Sequence, residues 1–377
     1  MREDRHCPQP PDYRIDWPAI ENALPWVEEM AACPQDPVWH AEGDVWTHTK
    51  MVCEQLVQIA DWRRLPRFER DALFLAALLH DCAKPATTIE DSGRIRAPRH
   101  SIKGAYLARR LLLSSWTPTE TVDDVRFREL VCSLVRSHGA PLHSLEHRDG
   151  ARRATLMSWR GRCDLVSTLA EADIRGRVSA DRTEQLERIE LFREFCRELQ
   201  CYDQPRPCVD AHTRVAYCEG REHPPSVAAF DDTVCEVVMM AGLPASGKSH
   251  WVEQNSAGAV VVSLDRLRRE LAVDPGGEQG AVINRAKQTA RELLAKRRSF
   301  FWNATNVNRP VRKQLIQLFR SYRARVRIVY VEAGWRCIEA RNSARSHPVP
   351  AAVIEQMLEK LEPPDLTEAH EVEIVVT

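Results

Sequence analysis

Long apolar runs are missing from this 377-residue chain. The longest, LFLAALL at 73–79 and CEVVMMAGL at 235–243, are far too short to span a bilayer. The opening residues MREDRHCPQPPDY carry no apolar signal core. Both absences predict a cytoplasmic protein with no membrane partner. Paired cysteines are missing as well: the 12 Cys are irregularly spaced and none forms Cys-x-x-Cys. That excludes the disulfide framework of a small secreted domain and the tight ligand pairs of a zinc ribbon. The thiols are expected to be reduced and mostly in the core. An excess of either charge is missing too, with 53 Lys+Arg against 54 Asp+Glu. No broad basic face is therefore available to grip duplex DNA, although small pockets can still hold nucleic-acid ends. There is no internal repeat and no low-complexity tract.

What is present is the composition of a folded protein, 44% hydrophobic and 28% charged, at a length that predicts two domains. The first half is helical in pattern. Apolar residues recur at three-to-four spacing over 45–60, 69–83, 100–115, 121–137, 161–175 and 181–200, and Pro85, Gly139 and Gly176 punctuate helix ends. Asp91-Ser92-Gly93 predicts a hairpin within 87–101. From 206 to 232 the periodicity lapses into a Pro-rich polar stretch, read as a linker between domains at 1–205 and 233–377. Beyond it, strands at 234–240, 259–264, 299–303 and 325–331 alternate with helices at 278–298 and 309–321, and helices follow. That alternation predicts a parallel α/β sheet.

The second half holds GLPASGKS at 242–249, the G-x-x-x-x-G-K-[ST] pattern between a strand and a helix. Gly242, Ser246 and Gly247 let backbone N–H groups surround phosphate oxygens. Lys248 reaches the β- and γ-phosphates of ATP or another nucleoside triphosphate, and Ser249 ligates Mg²⁺. Asp265 follows the next strand, on the carboxyl edge of the sheet where ligands bind. A carboxylate there can take the proton of an attacking hydroxyl, and Arg268 on the same helix face can hold an acceptor phosphate. A helix-capping Asp beside a surface Arg is the plain alternative. Arg341 and Arg345, at i and i+4, can close over the triphosphate. Together with Ala304-Thr305-Asn306, these features resemble the kinase module of bacterial polynucleotide 5′-kinases over about 233–377. One departure is Asn303, where many relatives carry Asp. A neutral amide is a poorer partner for the surroundings of Mg²⁺ than a carboxylate.

The first half places histidines and acids where helices begin or end: His48, His80-Asp81, His100, His138 and Asp173. Imidazoles and carboxylates suit divalent transition metals, and a bridging carboxylate can serve two ions about 3.5–4 Å apart. The order H…HD…H…H…D over about 40–200 resembles the all-helical HD-domain phosphohydrolases. That resemblance implies one metal on His48, His80, Asp81 and Asp173. A second would lie on Asp81, His100 and His138, with Mn, Ni, Co, Fe or Zn as the candidate metals. Lys84 fits the family's HD-x-x-K pattern, in which the lysine faces a substrate phosphate. Arg94, Arg96, Arg99 and Arg177 are further phosphate candidates. His143 and His147 are extras, of which His143 is the better placed to line a pocket.

An HD phosphohydrolase joined to a kinase-like P-loop module resembles the bacterial bifunctional HD domain–polynucleotide kinase end-healing enzymes. The resemblance implies phosphorylation of 5′-OH ends and removal of 2′,3′-cyclic phosphate and 2′- or 3′-phosphate ends. RNA or DNA ends would then be the substrates, with a nucleic-acid ligase acting downstream. Two other readings stay open: a small-molecule or nucleoside kinase fused to an HD nucleotidase, and an ATPase whose nucleotide gates the HD domain.

Overall fold

The computed structural model describes residues 6–116, 119–220, 223–273, 277 and 279–377. The first position of the helix expected at 278–298 therefore lies outside the described residues. The chain divides into two compact units, one of residues 1–117 with 126–206 and the other of 118–125 with 207–377.

The first unit is helical. Its core helix, Arg67–Leu79, is buried from Arg70 to Leu79, as an element that is apolar on all faces must be. It packs against Val45–Leu56 and Cys163–Arg175, which also touch each other. The helix Val45–Leu56 starts where Asp44 caps it, with its carboxylate accepting the Thr47 N–H at 2.8 Å and the Thr47 hydroxyl at 2.7 Å. The core helix stops at Leu79, and its continuation turns at His80-Asp81 toward Pro85. The expected hairpin is present: β1 (Ile89–Asp91) pairs antiparallel with β2 (Arg94–Arg96). The helix His100–Leu111 is shorter than the periodicity predicts, since its last turn widens into a π-helical turn at Leu112–Trp116. Trp17–Ala23, Val27–Ala31 and Gly150–Ser158 are helices that the periodicity does not announce.

The second unit is α/β. Five parallel strands, β3 (Cys235–Ala241), β4 (Val260–Ser263), β5 (Phe300–Asn303), β6 (Ala324–Glu332) and β7 (Glu371–Val376), lie in the order β4-β5-β3-β6-β7. β3 is central and buried from Val237 onward, which is why it reads as a continuous apolar run. The chain leaves β3 toward β4 on one side and leaves the adjacent β6 toward β7 on the other, so the carboxyl ends of β3 and β6 flank the switch point where α/β sheets bind ligands. Residues 118–125 group with this unit, and Thr119 Oγ1 donates to Glu332 Oε1 at 2.6 Å.

Two elements of the second unit also depart from the sequence expectation. β7 occupies part of a region read as helical. The polar stretch 206–232 holds a helix, Ala211–Cys218, capped by Asp210, which accepts from the Thr213 N–H at 2.7 Å. Buried Arg312 anchors the helix Arg309–Ser321. Its guanidinium donates twice to Glu368 at 2.8 Å and to the carbonyls of Asn306 and Glu362 at 3.0 and 2.7 Å. The pair thereby also fixes the turn after β5. Among the described residues, no helix is long and apolar enough to cross a membrane.

Candidate active sites

Helix ends of the first unit converge on one buried cluster. His48 comes from inside Val45–Leu56, and His80-Asp81 from the end of the core helix. His100 opens the helix after the hairpin, His138 follows Val122–Ser137, and Asp173 lies in Cys163–Arg175. Three of the four imidazoles point Nδ1 at a backbone carbonyl three residues earlier: His80 at Ala77 (2.7 Å), His100 at Ala97 (2.8 Å) and His138 at Val135 (2.8 Å). His48 Nδ1 instead lies 2.8 Å from Glu42 Oε1. For His80, His100 and His138 the carbonyl fixes the proton on Nδ1 and leaves Nε2 bare toward the centre, whereas His48 Nε2 is within hydrogen-bond distance of Asp173 Oδ1.

The bare nitrogens crowd together. His100 Nε2 and His138 Nε2 are 3.3 Å apart, and His48 Nε2 is 3.1 Å from Asp173 Oδ1. Asp81 lies between, with Oδ2 3.2 Å from His80 Nε2 and Oδ1 3.4 Å from His100 Nε2. His48–His80–Asp81 and Asp81–His100–His138 each bring three donor atoms within 4.8 Å of one another, with Asp81 common to both. His80 Nε2 and Asp81 Oδ1 are buried and make no hydrogen bond. Facing lone pairs and orphaned buried donor atoms are destabilising unless a cation lies among them. The residues present therefore fit two divalent ions sharing Asp81.

The electrostatics differ among the imidazoles: burial opposes protonation of His80, but the Asp81 carboxylate beside it outweighs that and raises its pKa. Burial, reinforced by His80 and His100, pushes His138 down to about 3, so it is a neutral imidazole. Burial works against ionising Asp81 and Asp173. Even so, His80 and Lys84 hold Asp81, and Arg177 and His48 hold Asp173, well below the usual carboxylate range.

Two of the expected phosphate-contacting residues are engaged with carboxylates of the cluster. Lys84 Nζ does not stand free for a phosphate: it is 2.7 Å from Asp81 Oδ2 and donates to Gln35 Oε1 at 2.5 Å. Arg177 is likewise engaged, donating to both oxygens of Asp173 at 2.9 and 2.6 Å. Buried carboxylates require such partners. A cleft of about 490 Å³ opens onto the cluster, lined among others by Lys84, His100, Arg96, His143 and Trp39.

Glu42 and Trp39 went unnoticed in the sequence. Glu42 Oε1 also lies 2.8 Å from His40 Nδ1, and Oε2 accepts from the Val178 N–H at 2.9 Å. Burial opposes its ionisation, but the bonds from His40 and His48 hold it below the usual carboxylate range. Trp39 is 45% exposed and rides on an ordered turn. In that turn Asp36 accepts from the N–H groups of Val38, Trp39, His40 and Ile95.

The second site lies at the carboxyl end of β3. Lys248, Ser249, Asp265, Arg268, Arg341 and Arg345 line one cleft of about 300 Å³. Lys248 Nζ donates to Leu243 O at 2.6 Å, and burial, opposed by Asp265 and helped by Arg345, lowers its pKa to about 7. Ser249 Oγ accepts from Asn303 Nδ2 at 3.2 Å, so Asn303 reaches the serine of the Gly-rich turn. Asp265 Oδ1 pairs with Arg268 Nη1 at 2.5 Å, and Arg268 Nε donates to Gln279 Oε1 at 2.8 Å.

Gly242 serves the turn, since its N–H is spent on Thr305 O at 2.8 Å. At φ +137° an added Cβ would meet Val331 O at 2.2 Å. Gly247, at φ +99°, precedes the helix Lys248–Asn255. Ser246 Oγ is buried without a partner. The helix Trp335–Ser343 carries Arg341 but ends before Arg345, so the two arginines share the cleft without sharing a helix.

Comparison with known proteins assigns the two halves to classes. The HD domain model matches residues 45–167 and the AAA domain model residues 237–364. The chain joins an all-α HD domain to an α/β P-loop kinase-like domain. Over 190 residues it is 28% identical to the multifunctional CCA protein of Hahella chejuensis (strain KCTC 2396), 48% of this chain and 41% of that one. Over 132 residues it is 32% identical to the multifunctional CCA protein of Halorhodospira halophila, 35% and 28% of the two chains. The chain thus spans less than half the length of these curated relatives. Among solved structures, a sugar kinase from Janibacter sp. HTCC2649 matches 38% of this chain and 85% of its own at 18% identity and TM-score 0.29. A gluconokinase from Sinorhizobium meliloti 1021 matches 38% and 83% at 16% identity and TM-score 0.28.

Proposed function

We propose that this protein heals nucleic-acid ends, RNA being the expected substrate. The kinase-like unit phosphorylates a 5′-OH with ATP, and the HD unit removes 2′,3′-cyclic phosphate and 2′- or 3′-phosphate. The observation that carries the reading is the Asp265–Arg268 pair in the same cleft as Lys248 and Ser249. A phosphate-donor site faced by a carboxylate and a guanidinium has an acceptor side, for which a plain ATPase has no use.

Asp265 accepts the proton of the 5′-OH as its oxygen bonds the γ-phosphorus and the bond to the bridging oxygen of the leaving diphosphate breaks. Lys248, Arg341 and Arg345 bring positive charge to the phosphoryl oxygens, and Arg268 turns from Asp265 to the acceptor's phosphate. Mg²⁺ on Ser249 would add charge to the β- and γ-oxygens.

In the HD unit, His48, His80, Asp81, His100, His138 and Asp173 are the residues that would hold the metals. Two divalent ions there supply a hydroxide at neutral pH and charge for the phosphoryl oxygens. Lys84 and Arg177 offset the negative charge of the carboxylates, and Arg96 at the mouth of the cleft meets the phosphate. The Trp39 indole offers a stacking face for the terminal base, a contact every base can make.

The test is one short RNA bearing a 5′-OH and a 2′,3′-cyclic phosphate. It is incubated with γ-labelled ATP, Mg²⁺, and in turn Mn²⁺, Ni²⁺ or Co²⁺. Label at the 5′ end and loss of the terminal phosphate are expected. Asp265→Ala should abolish labelling and spare hydrolysis, and Asp81→Ala the reverse. Label passing to a free nucleoside or sugar while the RNA stays unchanged would overturn the proposal.

A further inference from the structure

Three cysteines far apart in sequence meet in the first unit, away from the HD residues. Cys163 is the first residue of the helix Cys163–Arg175, Cys196 lies in the last turns of Arg182–Glu198, and Cys201 follows that helix. All three are buried, and their Sγ atoms lie within 4.8 Å of one another.

The backbone explains the meeting. The helix Arg182–Glu198 closes with a Schellman motif in which Gln200 takes the left-handed conformation (φ +55°). The Cys201 N–H then donates to Cys196 O at 2.8 Å, and the Gln200 N–H to Arg197 O at 2.9 Å. This motif brings residues five apart into side-chain contact. The Asp164 N–H donates to Tyr202 O at 2.8 Å, pinning the start of the other helix, and with it Cys163, beside Cys201.

Such a contact is normally apolar, and buried thiols can serve as small hydrophobes. Three features favour more than packing. Metal–thiolate bonds of about 2.3 Å put sulfurs about 3.8–4.0 Å apart, within the observed spread. Cys163 opens a 13-residue helix, where the N-terminal dipole favours a thiolate. The Cys201 thiol is lowered first by its bonds with Cys163 and Cys196 and to a smaller extent by the Arg206 guanidinium, which donates to Thr155 Oγ1 at 2.8 Å.

We propose that Cys163, Cys196 and Cys201 bind one thiophilic d¹⁰ cation, Cu⁺ or Zn²⁺. Thiolates select these ions over the harder metals that suit His and Asp. Among the described residues no fourth His, Cys or carboxylate joins the three. That suits three-coordinate Cu⁺ directly. Zn²⁺ would take a carbonyl as its fourth ligand, the Ala154 oxygen 3.7 Å from Cys163 Sγ being the one in place. The ion would staple the helix that carries Asp173 to the helix that follows it.

X-ray absorption at the zinc and copper edges of the full chain, purified from medium containing both metals, tests the proposal. One metal per chain with a sulfur shell at about 2.2–2.3 Å is expected, and the edge that shows it identifies the ion. Cobalt loading gives a second readout, a sulfur-to-cobalt charge-transfer band that His and Asp ligands do not produce. The band should be lost in Cys201→Ser and Cys163→Ser, both checked for native helical circular dichroism, and kept in His100→Ala. The wild-type spectra decide the matter even where a variant fails to fold. No sulfur shell at either edge together with no cobalt band overturns the proposal, as does a band that survives in both folded cysteine variants.

Discussion

Glu42→Gln replaces one oxygen by an NH₂ group and tests whether the HD cluster depends on imidazole tautomers. Glu42 Oε1 lies 2.8 Å from the Nδ1 atoms of His40 and His48, and Oε2 receives the Val178 N–H at 2.9 Å. All three partners are donors when His48 presents a bare Nε2 to Asp173 and Asp81. A glutamine cannot accept from all three. If its oxygen stays with Val178, its NH₂ faces His48, whose Nδ1 must then accept. The proton moves to Nε2, 3.1 Å from Asp173, and blocks ligation. If the oxygen stays with the histidines, the NH₂ opposes the Val178 N–H, which loses its acceptor and with it the bond that holds the Glu42 carboxyl group in place. Partners of ligating histidines typically contribute about 10–100-fold, roughly 1.4–2.7 kcal/mol. Glu42→Gln should therefore lower the hydrolysis rate of a cyclic nucleotide, or raise the Mn²⁺ concentration at half-activity, by about that factor. Phosphoryl transfer to a 5′-OH should not change. A wild-type Mn²⁺ titration and rate in a folded Glu42→Gln protein would refute the tautomer argument.

The remaining predictions concern substrate, magnesium and acid. Trp39→Ala should raise KM for a nucleoside 2′,3′-cyclic phosphate about ten-fold, the loss of a stacking contact of ~1–3 kcal/mol, and leave p-nitrophenyl phosphate hydrolysis unchanged. Equal loss on both substrates would assign Trp39 to the fold instead. Asn303→Asp puts a carboxylate 3.2 Å from Ser249 Oγ and should lower the Mg²⁺ concentration at half-maximal kinase activity by about five-fold, ~1 kcal/mol. An unchanged midpoint would mean that residue 303 does not influence the ion. His370 is pushed down to about 3 by burial, then by Arg320, Arg325 and His212, and its Nδ1 accepts from the Val326 N–H at 3.0 Å. The unfolded chain binds the proton below about 6.5 and the folded one does not, so stability falls as pH drops from there toward 3, by up to ~1.4 kcal/mol per pH unit. Urea unfolding between pH 7 and 5 should show that slope, reduced by one proton in His370→Gln.

The parts of the fold that were legible in the sequence follow from local rules. β3 reads as a buried strand because both its faces are covered, and GLPASGKS after it needs the positive φ of Gly242 and Gly247. Asp91-Ser92-Gly93 announces the hairpin through a turn that only such residues make easily. β7 was not legible. EVEIVV alternates charge with apolar residues as an edge strand does, but its partner β6 is distant in sequence, Arg327 pairing with Glu371, and only that pairing distinguishes it from other short amphipathic segments. The helix Gly150–Ser158 buries only Gly150, Ala154, Thr155 and Ser158, small residues without a wide apolar stripe. Ala211–Cys218 hid inside a Pro-rich stretch because its main local signal is one capping residue, Asp210.

The candidate sites divide along a similar line. Chain order indicates which polar residues occur at helix ends, and hence which can share a centre. It does not indicate which of them are already partnered. Lys84 and Arg177 have the charge and position of phosphate ligands, yet each neutralises a carboxylate of the same cluster. Burial makes that necessary: Asp81 and Asp173 are almost wholly enclosed, and an enclosed carboxylate without a counter-charge costs several kcal/mol. Glu42 shows the converse. It lies in a loop with no periodicity, and nothing in HAEGDVWTH separates it from a solvated acid. Its role follows from a return of the chain more than a hundred residues later, where the N–H of Val178 takes Oε2 and leaves Oε1 to orient two imidazoles. A sequence can therefore indicate a set of converging His and Asp side chains before the structure is known. The groups that set the protonation of that set become visible only when distant segments are seen side by side.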